Sequence, residues 1–238
     1  MDLKELEILG EGINRHWYYK EKANAVRQLL RGIPFHGVLD VGAGSGFFSK
    51  CLLQEESVRA IWCVDTSYDR DWEESVDGRT VHYRQVGARV PANLALFMDV
   101  LEHVDDDVGL LRHYIPLVDG ASNFLISVPA FQSLWSGHDV FLGHRRRYRL
   151  EQIEDVVHRA GLQLVRSGYF FATVFPIAAG LRWSQRLVGR DDVSARSQLK
   201  RHHPAVNWLL GSLSHAELPL IGRNRLFGLT AFCVARHA

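Results

Sequence analysis

The chain has 238 residues, of which 47% are hydrophobic and 23% charged, with a formal net charge of +1. This composition excludes a disordered chain, and the balanced charge gives no reason to expect a nucleic acid partner. Its three cysteines, Cys51, Cys63 and Cys233, fit neither a zinc site nor a disulfide framework, so we expect a protein of the reducing cytoplasm. We expect no secretory signal and no membrane-spanning helix, because no apolar run reaches about 18 residues.

Predicted strands and helices alternate along most of the chain. A helical pattern over residues 14–32 comes first, and turns and helical patterns separate the apolar runs that follow it. Parallel strands need such crossovers, so the alternation predicts a doubly wound α/β sheet. The predicted strands cover residues 36–41, 58–65, 80–86, 92–99, 122–129, 162–171 and 225–236.

We predict a single domain over residues 1–238, with residues 1–35 as a helical lid and residues 172–224 as a helical insertion before the last strand. The insertion contains two stretches with apolar faces. These faces suit a hydrophobic acceptor or a membrane surface, and a helical cap or a dimer contact is the alternative. Three basic residues of the insertion favour an anionic surface, namely Arg182, Arg186 and Arg190.

The most informative stretch is "VLDVGAGSG", in which a buried strand runs into Gly42, Gly44 and Gly46 and then into a helix. Such glycines allow a tight turn and the close approach of a ligand to bare backbone, and the helix amino terminus adds free N–H groups. The turn is not the dinucleotide fingerprint, because Phe47 stands where its third glycine would be. Asp40, inside the strand, would repel a pyrophosphate but can hold an ammonium or sulfonium group.

The second predicted strand ends at Asp65, which follows Gly42 by 65 − 42 = 23 residues. An acid at about this spacing, at the tip of the next strand, can accept hydrogen bonds from both ribose hydroxyls. The glycine turn and the two acids therefore indicate a positively charged nucleoside ligand. The alternative is the glycine turn of an ordinary α/β domain.

The chain resembles the class I S-adenosylmethionine-dependent methyltransferases over essentially its whole length. The resemblance rests on "VLDVGAGSG", on "CVD" at the second strand and on "LALFMDVLEHV" at the fourth. The stretches "HWYYKEK" and "SLWSGHDVFLGHRRRY" are similar to a bacterial branch that often accompanies glycan or lipid-linked sugar biosynthesis. The resemblance implies a Rossmann-like, seven-stranded sheet of order 3-2-1-4-5-7-6 with an antiparallel last strand. It also implies S-adenosylmethionine as cofactor, bound by Asp40, Gly42, Gly44, Gly46, Asp65 and Met98.

One feature departs from that family. Many relatives carry an acid at the end of the third strand, where it contacts the adenine amino group. Here the corresponding stretch is "RQVGAR", so we expect Gln85 or a backbone carbonyl to make that contact.

The segment "MDVLEHV" follows the fourth predicted strand. In a helix, the i, i+3, i+4 spacing of Asp99, Glu102 and His103 would point these side chains the same way. Ligands of such sheets bind beyond the carboxyl ends of the strands, so Met98 is expected beside the cofactor and Asp99 on the acceptor side. His144, in the loop after the fifth strand, is expected at the same edge.

Three interpretations of these residues stay open. In the first, His103 or His144 is a general base oriented by Asp99 or Glu102. In the second, all four bind a divalent metal, because Asp-x-x-Glu-His resembles the Glu-x-x-Glu-His metal site of small-RNA 2′-O-methyltransferases and of some ubiquinone-pathway O-methyltransferases. In the third, Glu102 and His103 only pack the mouth of a helix, since transfer from a sulfonium needs mainly in-line geometry.

We interpret the chain as a cytoplasmic S-adenosylmethionine-dependent methyltransferase, with a peripheral membrane contact as an option. The expected acceptor is O or N of a small or lipid- or glycan-linked molecule. In the lid, Lys20 is expected near the cofactor carboxylate, and the alternative is that the aromatic residues beside it only pack a terminal helix on the sheet. Arg145, Arg146 and Arg147 either hold an anionic acceptor or form a solvated loop. The alternative is a non-catalytic member of the same fold that binds the cofactor or a partner.

Overall fold

A computed structural model describes residues 10–187 and 203–237. Their strands form one sheet of eight, in the order β3-β4-β2-β1-β5-β6-β8-β7. The strands are β1 (Gly37–Val41), β2 (Ala60–Val64), β3 (Trp72–Val76), β4 (Arg79–Arg84), β5 (Leu94–Met98), β6 (Asn123–Pro129), β7 (Leu162–Phe170) and β8 (Thr230–His237).

The sheet confirms the predicted doubly wound architecture. Strands β4, β2, β1, β5 and β6 are parallel neighbours, and β8 runs antiparallel between β6 and β7. All five residues of β1 and all five of β5 are buried, which explains their continuous apolar sequences. The order that the family resemblance implies is therefore present, with one strand added at an edge.

The predicted count of seven strands is wrong because β3 pairs antiparallel with β4 as an additional edge strand. The hairpin turns at Asp77 and Gly78, whose φ angles of 51° and 73° are both positive. An Asp-Gly pair is a strong signal for such a turn and could have revealed the hairpin. The apolar pattern of the sequence does not reveal β3, because four of its five residues are exposed and the strand lacks a buried apolar face.

Helices cover both faces of the sheet. They are α1 (Trp17–Leu30), α2 (Phe47–Cys51), α3 (Asp107–Tyr114), α4 (Gly137–Leu142), α5 (Leu150–Arg159), α6 (Phe175–Leu187) and α7 (Pro204–Ala216). Alternate strand residues enter opposite cores, as in β1, where Val38 packs with α1 and α2 and Leu39 packs with α3 and α5. None of the helices in the described ranges is long and apolar enough to cross a bilayer.

Residues 101–118 have a helical sequence pattern, but only part of this stretch forms an α-helix. A 3-10 turn, Leu101–His103, comes first, and α3 begins only at Asp107. Asp106 caps α3, because its side chain accepts a hydrogen bond from the Gly109 N–H at 2.8 Å. The residues of "MDVLEHV" therefore do not share one α-helical face.

The predicted insertion contains α6 and α7, and residues 188–202, with Arg190, lie outside the described residues. Helix α7 docks on α1, where the Asn207 side chain accepts from the Trp17 N–H at 2.9 Å and His215 contacts Glu21 at 2.9 Å. Helix α6 leaves large apolar side chains exposed, namely Ile177, Leu181 and Trp183. The role of the insertion on the acceptor side stays a prediction.

Candidate active site

The glycine turn after β1 has the close geometry that its sequence predicts. Gly42, Gly44 and Gly46 have φ angles of 65°, 54° and 68°, a region that strongly favours glycine. A Cβ at Gly42 would lie 2.7 Å from a methyl of Val100, and one at Gly46 would lie 2.9 Å from the Cys63 sulfur. The turn is therefore closed to larger residues, and its bare backbone faces the edge of the sheet.

Asp65 directly follows β2 and lies beside this turn. Its Oδ2 accepts from the Gly44 N–H at 2.8 Å, and its Oδ1 accepts from the Ser67 N–H at 2.9 Å. Tyr68 donates from its hydroxyl to the Gly44 carbonyl at 2.6 Å. The half-buried carboxylate is thus fixed against the turn, and its contact with a ribose stays a prediction.

Two other predicted cofactor residues, Asp40 and Met98, are buried, with 2% and 1% of their surface exposed. Burial raises the pKa of Asp40 to about 6, although a hydrogen bond from Ser49 opposes the shift. An ionised Asp40 is therefore costly without a cationic neighbour. Met98 ends β5 and packs in the same core as α1.

Near the expected adenine side, Gln85 donates from its side-chain amide to the Tyr68 carbonyl. Its backbone N–H donates to Asp71 at 2.8 Å. A carboxylate therefore does stand beside Gln85, but it comes from the loop between β2 and β3. Asp71 lies outside the third predicted strand, so the family pattern of an acid at that strand's end does not reveal it.

Asp99 contacts Ser127 and Lys22 with its carboxylate. Its φ of 55° turns the backbone out of the strand, where Asp99 accepts from the Ser127 hydroxyl at 3.0 Å. Its other carboxylate oxygen forms an ion pair with Lys22, whose side chain is fully buried. Burial alone would lower the pKa of Lys22, but the charge of Asp99 raises it above its ordinary value. Burial alone would raise the pKa of Asp99, but the charge of Lys22 lowers it below its ordinary value.

Glu102, His103 and His144 form a compact group, which we call the acceptor cluster. One ligand atom of each lies within 4.8 Å of the others, a spacing that can hold a metal ion. Glu102 is fully buried, and neither carboxylate oxygen has a hydrogen-bond partner among the described residues. Burial, and secondarily the charge of Asp99, raises the pKa of Glu102 well above its usual value. Asp99 is not part of the cluster.

His144 is oriented by a buried carboxylate that sequence reasoning missed. Its Nδ1 lies 2.9 Å from Oδ1 of Asp139, and its Nε2 lies 3.9 Å from Glu102. Arg147 donates to both oxygens of Asp139, at 2.7 and 3.0 Å. Burial would raise the pKa of Asp139, but His144 and Arg147 hold it well below its usual range. An ionised Asp139 favours the tautomer of His144 with the proton on Nδ1, which leaves Nε2 as a base or ligand.

The arginine run holds the cluster together. Arg145 donates from Nε to the His103 carbonyl at 2.8 Å and forms an ion pair with Asp105. Arg146 donates to the carbonyls of Val104 and Asp105, each at 3.0 Å. These guanidinium groups attach the loop before α5 to the segment after β5. Arg145 keeps 49% of its side chain exposed, and a role of the run in holding an anionic acceptor stays a prediction.

The sheet register brings the glycine turn and both strand-tip acids to one edge. Val41 of β1 pairs with Val64 of β2 on one side and with Phe97 of β5 on the other. Asp65 therefore stands level with Gly42, and Asp99 lies one residue beyond that level. Because β1 separates them, the two acids flank the turn, and the acceptor cluster lies on the Asp99 side.

A family model described as a methyltransferase domain matches residues 14–167, which is more than half of the chain. Among curated protein sequences, none matches this chain. The matched range contains the glycine turn, Asp65, Asp99 and the complete acceptor cluster.

Solved structures show the same fold. A SAM-dependent methyltransferase from Thermotoga maritima, described as a possible histamine N-methyltransferase, is 14% identical with a TM-score of 0.57, over 99% of this chain and 96% of that one. A chain of the Haloferax volcanii complex between the Trm112 activator and a putative methyltransferase is 15% identical with a TM-score of 0.54, over 95% of this chain and 92% of that one. Phosphoethanolamine N-methyltransferase 2 of Haemonchus contortus, solved with S-adenosyl-L-methionine, is 17% identical with a TM-score of 0.52, over 90% of this chain and 52% of that one.

At these identities the likeness concerns the fold alone, and the family rests on the sequence model. The fold, the glycine turn and the strand-tip acids agree with that assignment. The chain therefore belongs to the methyltransferase-domain family and is a methyltransferase.

Proposed function

We propose that the protein transfers a methyl group from S-adenosylmethionine to O or N of a small or lipid- or glycan-linked acceptor. The observation that carries this proposal is the glycine turn flanked by Asp65 and Asp99, with the acceptor cluster on the Asp99 side. The residues suit this cofactor. Asp65 can accept from ribose hydroxyls, and the buried Asp40 favours a cation over a pyrophosphate.

S-adenosylmethionine supplies a methyl group on a sulfonium, which needs no further activation of the leaving group. The chain must therefore align the acceptor and remove its proton. In the first mechanism His144 accepts this proton at Nε2, and Asp139 stabilises the resulting imidazolium through Nδ1. The buried pair of Asp139 and Arg147 fixes the His144 ring, so that its Nε2 stays on the side of Glu102.

A second mechanism uses the acceptor cluster as a site for a divalent cation. Glu102 supplies a buried carboxylate without hydrogen-bond partners among the described residues, and the two histidines supply ring nitrogens. Asp139 behind His144 is the carboxylate partner that metal-bound histidines commonly have. A cation there would lower the pKa of an acceptor hydroxyl.

The exposed apolar side chains of α6 and α7 support a lipid-linked acceptor and a peripheral membrane contact. Trp183 on α6 is 52% exposed and Trp208 on α7 is 71% exposed. Arg182 lies among them, although it also donates to the Leu134 carbonyl. Aromatic and basic side chains together are typical of helices that lie in a membrane interface.

Sedimentation with anionic vesicles at low salt tests this contact. The wild type and Val165→Glu, which alters an exposed residue of β7, should both bind, and Trp208→Glu should bind more weakly. An unbound wild type would reject the membrane contact and favour a soluble acceptor.

The transfer itself is tested with S-adenosylmethionine that carries a labelled methyl group. Calorimetry should show cofactor binding, and incubation with cell extract should put label into a lipid or glycan fraction. Binding without transfer to any fraction would favour the alternative, a non-catalytic member. A wild type that binds neither the cofactor nor S-adenosylhomocysteine would overturn the proposal.

A further inference from the structure

We infer that a cavity between α1 and α7 binds the phosphate of an anionic phospholipid, which Arg15 and Lys20 hold while the apolar face of α7 contacts the acyl chains. The inference rests on the membrane contact in the proposed function and assigns that contact a binding site and a lipid class. Neither the glycine turn nor the acceptor cluster lines this cavity, so it is separate from both halves of the candidate active site.

The two helices lie side by side and leave the cavity along their shared groove. Asn207, near the start of α7, contacts the Trp17 N–H at the start of α1, and His215, near the end of α7, contacts Glu21. Gly211 lies between these contacts, where a Cβ would lie 3.7 Å from the Trp17 Cβ. The cavity beside this close approach has a volume of about 950 Å³, which is large enough for a lipid headgroup.

Two cations that line the cavity have no protein partner in the part of the chain that the structure describes. Arg15 lies just before α1 and Lys20 lies in its first half, and both are exposed. Neither side chain makes a hydrogen bond or an ion pair with another described residue. The acid of the lining, Glu21, is 2% exposed and already contacts His215 at 2.9 Å and Asn24 at 3.0 Å. The cavity therefore presents two uncompensated positive charges, which favour a ligand with a phosphate group.

The surface around these cations is apolar and almost free of acids. Trp208 lines the cavity and is exposed, as is Leu209 on the same helix. Helix α7 contains no Asp, Glu, Lys or Arg, and in residues 172–187 and 203–224, the described parts of the insertion, the single acid is the buried Glu217. Such a surface matches an anionic amphiphile, in which the phosphate and the acyl chains belong to one molecule. A free phosphate would leave the apolar face of α7 uncovered.

The docking of α1 directs Lys20 to this cavity. Lys20 shares with Trp17 and Glu21 the face of α1 that contacts α7, in agreement with their i, i+3, i+4 spacing. Lys22, which pairs with Asp99 at the edge of the sheet, lies on another face of the same helix. An anion that binds Lys20 therefore lies on the outer side of α1.

Dihexanoylphosphatidylglycerol, kept below its micelle concentration, is the probe for calorimetry on the full chain. The wild type should bind one molecule per chain, and it should bind dihexanoylphosphatidylcholine, whose choline group neutralises the phosphate, more weakly. Arg15→Gln and Lys20→Gln should each weaken the phosphatidylglycerol by roughly 10- to 100-fold, because a charge-assisted hydrogen bond is lost. Arg59→Gln, which removes the same charge from an exposed residue just before β2, is the matched control and should keep the wild-type affinity.

Equal affinity of the wild type for the two lipids would overturn the inference, and this comparison needs no variant that could fail to fold. Inorganic phosphate that binds as tightly as the phosphatidylglycerol would make the cavity a site for a free anion and overturn it as well. An equal loss in Arg59→Gln would reduce the effect to net charge, and weaker S-adenosylhomocysteine binding by Lys20→Gln with unchanged lipid binding would assign that lysine to the cofactor.

The proposed function is tested separately on the same preparation. If the wild type binds S-adenosylhomocysteine but not the phosphatidylglycerol, the inference fails and methyl transfer stands. If it binds the lipid but not S-adenosylhomocysteine, the lipid site stands and the proposed transfer is contradicted.

Discussion

The two halves of the candidate site are built in different ways. In the cofactor half, residues 40–68, the fixing contacts join residues close in sequence, such as Ser67 with Asp65 and Gly44 with Asp65, 2 and 21 positions apart. In the acceptor half, residues 99–148, local contacts such as His144 with Asp139, 5 positions apart, are combined with distant ones. Arg145 contacts Asp105, 40 positions away, and Tyr148 contacts Leu101, 47 away.

This difference shows what each half depends on. The cofactor half relies on backbone conformation, because its glycines adopt positive φ angles that strongly favour glycine and Asp65, after the next strand, supplies the carboxylate. The acceptor half relies on buried charge, because Asp139 and Arg147 keep His144 directed at Glu102. Mutations should therefore reduce binding in the first half and turnover or stability in the second.

The largest effect is expected in the acceptor half. His144→Ala should lower turnover by roughly 10²- to 10⁴-fold, the usual range for a lost general base, with nearly unchanged cofactor affinity. His103→Ala should do the same if His103 is the base or a metal ligand. His158→Ala, which removes an exposed histidine of α5, is the control and should keep full turnover. Initial rates and calorimetry measure the two quantities.

A chelator separates the two mechanisms. If the acceptor cluster holds a metal, EDTA should reproduce the loss in the wild type, and Mg²⁺ or Mn²⁺ should restore the rate. A base mechanism predicts no effect of EDTA. Turnover within a few-fold of wild type in both histidine variants would reject a chemical role for the cluster and leave the packing interpretation.

The same division explains what the sequence could predict. The parallel order of the sheet, the glycine turn and Asp65 were recognisable because their requirements are local: apolar runs, glycines with positive φ, and an acid at the next strand tip. The ion pair of Lys22 with Asp99 was not predicted, because only the docking of α1 decides which lysine reaches Asp99. Asp99 was expected on a helix, but its backbone is left-handed, with a φ of 55°. Asp139 belongs to no motif.

The second effect concerns stability in the acceptor half. Arg147→Met leaves the carboxylate of Asp139 buried without its guanidinium, which should lower the free energy of unfolding by about 3–5 kcal/mol. Arg145→Met removes an exposed ion pair with Asp105 and should cost about 0–1 kcal/mol. Urea denaturation measures both. If both variants lose the same free energy of unfolding, the buried ion pair contributes no more to stability than the exposed one.

The free energy of unfolding, measured over a series of pH values, should show the cost of burying Asp40 in the cofactor half. The pKa of Asp40 is raised to about 6 in the folded protein, so between about pH 4 and pH 6 the native state binds more protons than the unfolded state. Its contribution to stability should therefore fall as the pH rises through this window, by up to about 3 kcal/mol. Asp40→Asn should remove this part of the pH dependence. An unchanged slope in that variant would show that Asp40 does not titrate in this range.

The smallest effect concerns the ribose acid. Asp65→Ala should weaken both S-adenosylmethionine and S-adenosylhomocysteine by about 1.5–3 kcal/mol, roughly 10- to 100-fold, because a charge-assisted hydrogen bond is lost. The folded structure should survive, since Asp65 is half-buried and its other protein partner besides the Gly44 N–H is the exposed Ser67. Glu56→Ala changes the net charge equally at the opposite end of β2 and should leave both affinities unchanged. A 2′-deoxyribose analogue sharpens the test, because the loss that it causes in the wild type should be smaller in Asp65→Ala. If the analogue is discriminated equally by both proteins, Asp65 does not contact the ribose and only shapes the glycine turn.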